Sequence, residues 1–307
     1  MESVRSARIL VSGVSGPIGT ALVPSLESSG AGIARLMRRD SGAVSARATE
    51  IIRWDPAKAI PPESVSGFDA VIHLAGESIV GRWSAAKKAK IRNSRVIGTR
   101  NLAAALAQTK DKPRVFVCSS AIGYYGDRGD EVLNERSSPG TGFLADICRE
   151  WEAATQPAAD AGIRTVQIRT GVVLSPQGGA LGKMLLPFKM GVGGQIGSGG
   201  QWMSWIDVED MVGAIRHILK TDELQGPVNL VAPNPVTNAE FTKTLSSMLS
   251  RPAMFPVPAF VVKLVFGEMG ATVLLEGQRV EPAQVLTSGY QFHFSELKAS
   301  LEHVLRG

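Results

Sequence analysis

In the first half of the chain, short apolar runs alternate with longer stretches whose apolar positions recur at helical spacing. Strand candidates are 8–12, 33–37, 70–74, 114–119 and 164–169, and most of them are continuous in apolar character rather than alternating, as strands covered on both faces are. Between them, 18–28, 84–108 and 144–161 have the length and spacing of helices. Strands alternating with helices predict a parallel sheet with helices on both sides.

The expected class is therefore α/β, a Rossmann-like doubly wound parallel sheet with a smaller C-terminal substrate lobe. From Ser175 the pattern loosens. "GGALGKMLLPFKMGVGGQIGSGGQWMSW" is glycine-rich, and "GPVNLVAPNPVTNAEF" mixes a strand with proline-marked turns. We expect residues 1–174 to form the sheet domain and 175–307 the smaller lobe, with segments near 200–232 returning to the sheet. The crevice at the carboxyl edge of such a sheet is where ligands bind.

Composition changes this picture little. The 307 residues are 44% hydrophobic and 20% charged, as in an ordinary globular protein. The net charge of +5 is dispersed except at Lys87, Lys88, Lys90, Arg92 and Arg95. That spacing reads as a solvated helix face rather than a nucleic-acid surface. Two cysteines, Cys118 and Cys148, have no zinc or disulfide spacing, which fits a reducing cytoplasm. No apolar stretch approaches the roughly 20 residues that span a bilayer. The expectation is a cytoplasmic protein with neither a membrane nor a nucleic-acid partner and no bound metal.

The candidate chemistry starts at "ILVSGVSGPIGTALV", residues 9–23. Gly13, Gly16 and Gly19 fall between the first strand and the first helix, where a dinucleotide fold needs them. The first permits a tight turn, the second lets a pyrophosphate approach the backbone, and the third lets helix and strand pack closely. The helix N-terminus would meet the anion with unpaired N–H groups, and the hydroxyls of Ser12 and Ser15 could add donors. Alone, the glycine spacing is equally a structural turn; its position in the pattern favours dinucleotide binding.

After the second strand, "ARLMRRD" puts Arg38 and Arg39 where an NAD site would carry a carboxylate, with Asp40 just beyond. An arginine fork suits a ribose 2′-phosphate, so the cofactor reads as NADP(H). A pair of solvated arginines is the alternative.

With these pieces in hand, the sequence resembles the short-chain dehydrogenase/reductase superfamily in its extended, epimerase/dehydratase-like branch. "SGVSGPIG", "VIHLAGESI", "VIGTRNL", "VCSSAIGYYG", "IRTGVVL" and "WIDVEDMVGAI" appear in the family's order and cover most of the chain. "HLAGESI", "SSAIGYYGDRGDEVL" and "LLEGQRVEPAQVLTSGYQF" look more narrowly like the YfcH-like subgroup, whose members end in a short domain of unknown function. The resemblance implies an NADP(H) site drawn from Gly13, Ser15, Gly16, Ile18, Gly19, Arg38, Arg39, Asp55, Leu74, Ala75 and Gly76. Leu74–Gly76 would pass the cofactor ribose, with Trp54 and Asp55 nearer the adenine, Asp55 accepting from its amino group. Packing in the core is the other reading of Trp54.

The resemblance also implies a serine, a tyrosine and a lysine four residues after it, with an asparagine on a neighbouring helix. The lysine lowers the tyrosine pKa so that it exchanges a proton while the nicotinamide exchanges hydride. Ser120, or else Ser119, matches the serine. Phe143 and Ile147 stand at the tyrosine and lysine positions, and Arg95 replaces the asparagine in "RVIGT". Substitute groups are Tyr124 or Tyr125, an adjacent arginine lowering the pKa of Tyr124, and Glu77, as base or hydroxyl acceptor. The alternatives are buried tyrosines and a Glu77 paired with Arg82 or Arg95. His73 reads as a core residue. Asp207 and Asp210 read as carboxylates at a helix start.

Trp83, Lys183, Trp202, Met203 and Trp205 are the expected crevice lining, and an apolar or aromatic wall favours a flat or ring-shaped ligand. Residues 84–108 and 144–161 could pair two copies into a homodimer. Three functional readings remain open at this point. One is an NADP(H)-dependent oxidoreductase or epimerase on an unknown small-molecule substrate, lacking the tyrosine–lysine pair. Another is a non-catalytic NADP(H)-binding sensor or regulator. The third is an interaction module with a vestigial site.

Overall fold

The computed structural model describes residues 6–38, 50–176 and 178–306. Seven parallel strands form its central sheet: β1 Arg8–Ser12, β2 Gly32–Arg38, β3 Glu50–Trp54, β4 Ala70–His73, β5 Val115–Ala121, β6 Arg164–Thr170 and β7 Gly226–Leu230. Their spatial order is β7-β6-β5-β4-β1-β2-β3, so the order reverses beside β1, which creates the crevice that dinucleotides occupy in such sheets. Edge strands β3 and β7 complete the five expected from the apolar runs.

The pleat divides the core in two. Ile9 and Val11 of β1 face Leu22, Val23, Leu26, Met211, Ile215 and Ile218. Leu10, between them, faces Leu102, Leu106, Phe116 and Trp151, as a two-residue period requires. The first face is covered by α1 (Pro17–Ser28) and, farther along the chain, Val208–Lys220; the second by α2 (Ala85–Gln108), α3 (Phe143–Ala153) and α4 (Gln156–Asp160). The Ser84 hydroxyl caps α2 by accepting from the Lys87 backbone N–H. The single helix expected over 144–161 is two helices, separated at Ala154 and Thr155. Pro157, in the first turn of α4, has no N–H to continue the preceding ladder.

A second core lies beyond the carboxyl edge. Leu181 and Phe188 of α5 (Gly179–Lys189) pack with Leu174, Trp205, Phe241, Leu245, Leu297 and Leu301. The helix Val208–Lys220, now α6, connects this core to the sheet. Asp207 caps α6 through the Glu209 N–H and accepts from Ser300 Oγ and His303 Nδ1. Asp210 accepts from the Tyr290 hydroxyl and from the backbone N–H groups of His293 and Phe294. The two carboxylates therefore do more than start a helix: they tie the chain's last segment to it. Arg279–Val280 also pairs in parallel with Val132–Leu133. Among the described residues, no helix is long and apolar enough to cross a membrane.

Candidate cofactor pocket and adjoining polar site

The pocket forms where β1, β2 and β4 end. Gly13 has φ +72°, and a Cβ there would lie 2.6 Å from the Leu74 carbonyl carbon and 2.8 Å from the Ala75 nitrogen. Only glycine combines that dihedral with that approach. A Cβ on Gly19 would run into the Gly13 carbonyl oxygen and the Val14 backbone. Its close approach is thus to the turn itself, not to the strand. Gly16, by contrast, has nothing tighter than an ordinary contact at 3.4 Å to the Gly13 oxygen. It stands at the N-cap of α1 with no side-chain cap, leaving N–H groups of the first turn for an anion.

The resulting cavity, about 250 Å³, is lined by Gly13, Ser15, Gly16, Arg38, Trp54, Pro56, Leu74, Ala75, Gly76 and Glu77, among others. A larger cleft of about 760 Å³, around Glu135 and Gln284, lies away from the glycine turn. Most residues expected at the cofactor therefore do share one cavity. Ile18 does not line it, and packs instead against the core below α1. Asp55 does not either: its carboxylate accepts from the Ala57 N–H and sits 3.9 Å from Lys58. A short acidic side chain two residues before a free N–H closes its own turn. Arg39 lies outside the described residues.

Beneath the pocket the Ser12 hydroxyl is already engaged, 2.6 Å from His73 Nδ1, so it offers the pocket no free hydroxyl as expected from the sequence. His73 is fully buried against the Trp54 ring, 5.9 Å between centroids, and its Nε2 has no hydrogen-bond partner. Burial pulls its pKa down to about 4.

Glu77 pairs with Lys87 at 2.7 Å, not with Arg82 or Arg95. That hydrogen bond holds its carboxyl below the usual range, which suits an acceptor and weakens it as a base. The basic run on α2 is likewise divided. Lys88 pairs with Glu268 and Arg92 with Glu150, while Arg95 turns inward over Trp151, 5.0 Å from the ring centroid. The run is accordingly not one solvated face.

A second polar cluster occupies the carboxyl ends of β5 and β6. Ser120 Oγ donates to Glu152 at 2.7 Å, and Arg169 grips both Glu152 oxygens at 2.8 Å. Arg169 also donates to the Tyr125 hydroxyl, which donates to Asn229. Burial by itself would lower the Arg169 pKa, but the bonds to Glu152 more than reverse that. Tyr125 is pushed up to about 12, chiefly by burial, which removes it as a proton carrier near neutrality. The Arg169 guanidinium lies 3.5 Å from the centroid of the Tyr124 ring, over the ring face. Ser120 and Tyr124 thus come together through Arg169, whereas Glu77 belongs to the neighbouring cavity.

Glu152 and Arg169 were not singled out from the sequence. The available signal was a second arginine inside the strand "RTVQIRT", at the fifth place after Arg164, since a cation buried within a central strand needs a partner. At the positions of the missing pair, Phe143 meets Trp83 edge-on at 4.9 Å with Lys88 Nζ 4.8 Å from its ring. Ile147 is buried in the core. Of the expected crevice lining, Trp205 is instead fully buried in the second core, its Nε1 donating to the Asn234 carbonyl. Met203 packs at that core's edge.

Residues 9–231 match the model of the NAD dependent epimerase/dehydratase family. The chain belongs to that family. Residues 257–304 match a second model, a domain of unknown function named DUF1731. This epimerase/dehydratase chain is 41% identical over 298 residues to an epimerase family protein of Mycobacterium bovis, covering 96% of this chain and 97% of the relative. It is 38% identical to the human epimerase family protein SDR39U1, with 97% and 99% covered. The crystal structure of human SDR39U1 (isoform 2) with NADPH superposes with a TM-score of 0.88 at 37% identity, covering 97% of this chain and 99% of that one.

Proposed function

We propose that this epimerase-family chain is an NADP(H)-dependent oxidoreductase or epimerase acting on a small molecule, with Tyr124 as the proton-transferring group. The observation that carries the reading is the cavity: a glycine turn, an uncapped helix N-terminus, an arginine at the end of β2 and the Leu74–Gly76 backbone converge on it. These residues fit a dinucleotide with a 2′-phosphate. The first turn of α1 would hold the diphosphate, Arg38 the 2′-phosphate, and Leu74–Gly76 the ribose. The crystallised human relative bound to NADPH supports this assignment.

When bound, the nicotinamide supplies hydride transfer. The rest falls to the chain. The Tyr124 hydroxyl makes no hydrogen bond to any described residue, so it is available to pass a proton to or from a substrate oxygen. Arg169 fixes the ring's orientation from its face. Ser120, its own proton committed to Glu152, presents an oxygen that accepts from a substrate hydroxyl. Glu77, held ionised by Lys87, is an acceptor at the cavity mouth.

The test is a paired fluorescence titration with NADPH and NADH, followed by a screen of carbonyl and alcohol substrates. Tighter NADPH binding and a turnover abolished by Tyr124→Phe, with NADPH affinity kept, supports the reading. If neither nucleotide binds, it falls. The non-catalytic sensor is the second reading, favoured by Phe143 and the buried Ile147 at the positions of the missing pair. It gains if NADPH binds and no substrate turns over.

A further inference from the structure

Arg95 is a half-buried cation on α2 with no ion-pair partner among the described residues. Its Nη1 donates to the backbone carbonyls of Glu77 and Ile91, at 2.9 and 3.2 Å, and its plane lies over Trp151. No carboxylate of the described residues comes within 4.0 Å of it. The nearest acid, Glu77, is spent on Lys87 at 2.7 Å. Burial lowers the Arg95 pKa, so the arrangement is costly. A desolvated charge without a counter-ion destabilises a fold unless something else needs it there.

The neighbouring thiol does not supply the counter-ion. Cys148, close enough to feel the Arg95 charge, is pushed by burial to about 12 and remains neutral. Arg169, the buried arginine opposite Ser120 across the β5–β6 pair, is by contrast matched by Glu152.

The unused donors have a shape. With Nη1 committed to carbonyls, Nε and Nη2 remain without an acceptor, and neither is sealed from solvent. Those two nitrogens form one edge of the guanidinium, two parallel N–H groups spaced to match a carboxylate. Cζ and Nη2 of the group lie 3.4 Å, and Nη1 3.6 Å, from where a Gly76 Cβ would project. The guanidinium therefore sits beside the Gly76 end of the proposed cofactor cavity, within electrostatic reach of Cys148.

We infer that Arg95 binds a carboxylate of the substrate, so that the substrate class is a small oxo or hydroxy acid. This rests on the proposed cofactor site being real, and deepens it by assigning the substrate's charge. Binding energy from the carboxylate would place the oxygen to be reduced or oxidised against Tyr124 without any change in protonation at the arginine.

The test is binding, not turnover. Acetate, benzoate and oxalate are titrated into the protein, with and without saturating NADPH, at constant ionic strength. Acetamide and benzamide serve as neutral matches and inorganic phosphate as a tetrahedral anion. The expected result is that a carboxylate binds and its amide does not. Arg95→Gln should weaken the carboxylate at least tenfold, Arg95→Lys should retain part of the affinity, and the exposed Arg149→Gln should leave it unchanged.

Carboxylate binding that survives Arg95→Gln in a variant of unchanged melting temperature overturns the inference. So does wild-type protein that binds NADPH and none of the carboxylates, or that binds only phosphate at this site. If Arg95→Gln does not fold, the comparison of Arg95→Lys with wild type and the amide controls decide. NADPH affinity, read separately by fluorescence, distinguishes failure of this inference from failure of the cofactor reading.

Discussion

Arg169 and Glu152 form a two-pronged ion pair, both bonds 2.8 Å, with the arginine side chain 3% and the glutamate 14% exposed. Ser120 and Tyr125 hang from its two ends. Removing one member of a dehydrated pair leaves the other charge stranded, which costs about 3–5 kcal/mol. Glu152→Ala should lower unfolding stability by that order in urea denaturation. A loss under about 1 kcal/mol, the range of an exposed pair, would mean that solvent screens the contact.

Arg38 stands at the cofactor cavity where an NAD-specific site would place a carboxylate. A charge-assisted hydrogen bond is typically about 1.5–3 kcal/mol, so Arg38→Glu should weaken NADPH roughly 10- to 100-fold while changing NADH little. Fluorescence titration with both nucleotides reads this. Equal loss for both would remove Arg38 from the 2′-phosphate.

Gly13→Ala meets two penalties at once. The left-handed dihedral costs about 1–2 kcal/mol for a residue with a Cβ, and the Leu74 carbonyl, 2.6 Å away, is backbone that cannot rotate aside. Nucleotide affinity should fall sharply, with a lower melting temperature. A variant with native affinity would show that the turn can shift without losing the cavity.

His73 gives a pH dependence with a defined sign. Its pKa is about 4 in the folded chain against 6.5 for the ordinary residue, so between those values the unfolded chain holds the extra proton. Stability therefore falls as pH drops through that window, by about 3 kcal/mol at its lower end, using 1.36 kcal/mol per pH unit. Denaturation curves at several pH values, wild type against His73→Leu, separate this from the carboxylates that titrate nearby. The slope carries the test, because the leucine also strands the Ser12 hydroxyl. Parallel slopes for the two proteins would exclude His73 as the source.

The strands buried on both faces were legible in the sequence because most of them are short, largely apolar runs. β3 was missed: "EIIRW" is short, and as an edge strand three of its residues are exposed. The glycine turn was legible because its requirements are local to a few residues. The polar cluster was not, since Ser120, Glu152 and Arg169 are joined only by the stacking of β5 on β6 and the return of α3. Trp205 misled for a related reason. An indole in a glycine-rich loop reads as a ligand wall until the second core that encloses it is assembled from segments scattered between Leu174 and Val304.

The last fifty residues match their own family model, yet they do not finish a core of their own. Their final helix, Leu297–Arg306, packs on Trp205 and Phe241, Ser300 and His303 reach Asp207, and the backbone at 293–294 fills the lone pairs of Asp210. A chain cut at residue 256 would strip partners from two buried carboxylates and expose an indole. We expect such a truncation to destabilise the rest of the chain, since a buried carboxylate without its partners is costly. The boundary between the two family matches is therefore not a gap in the packing.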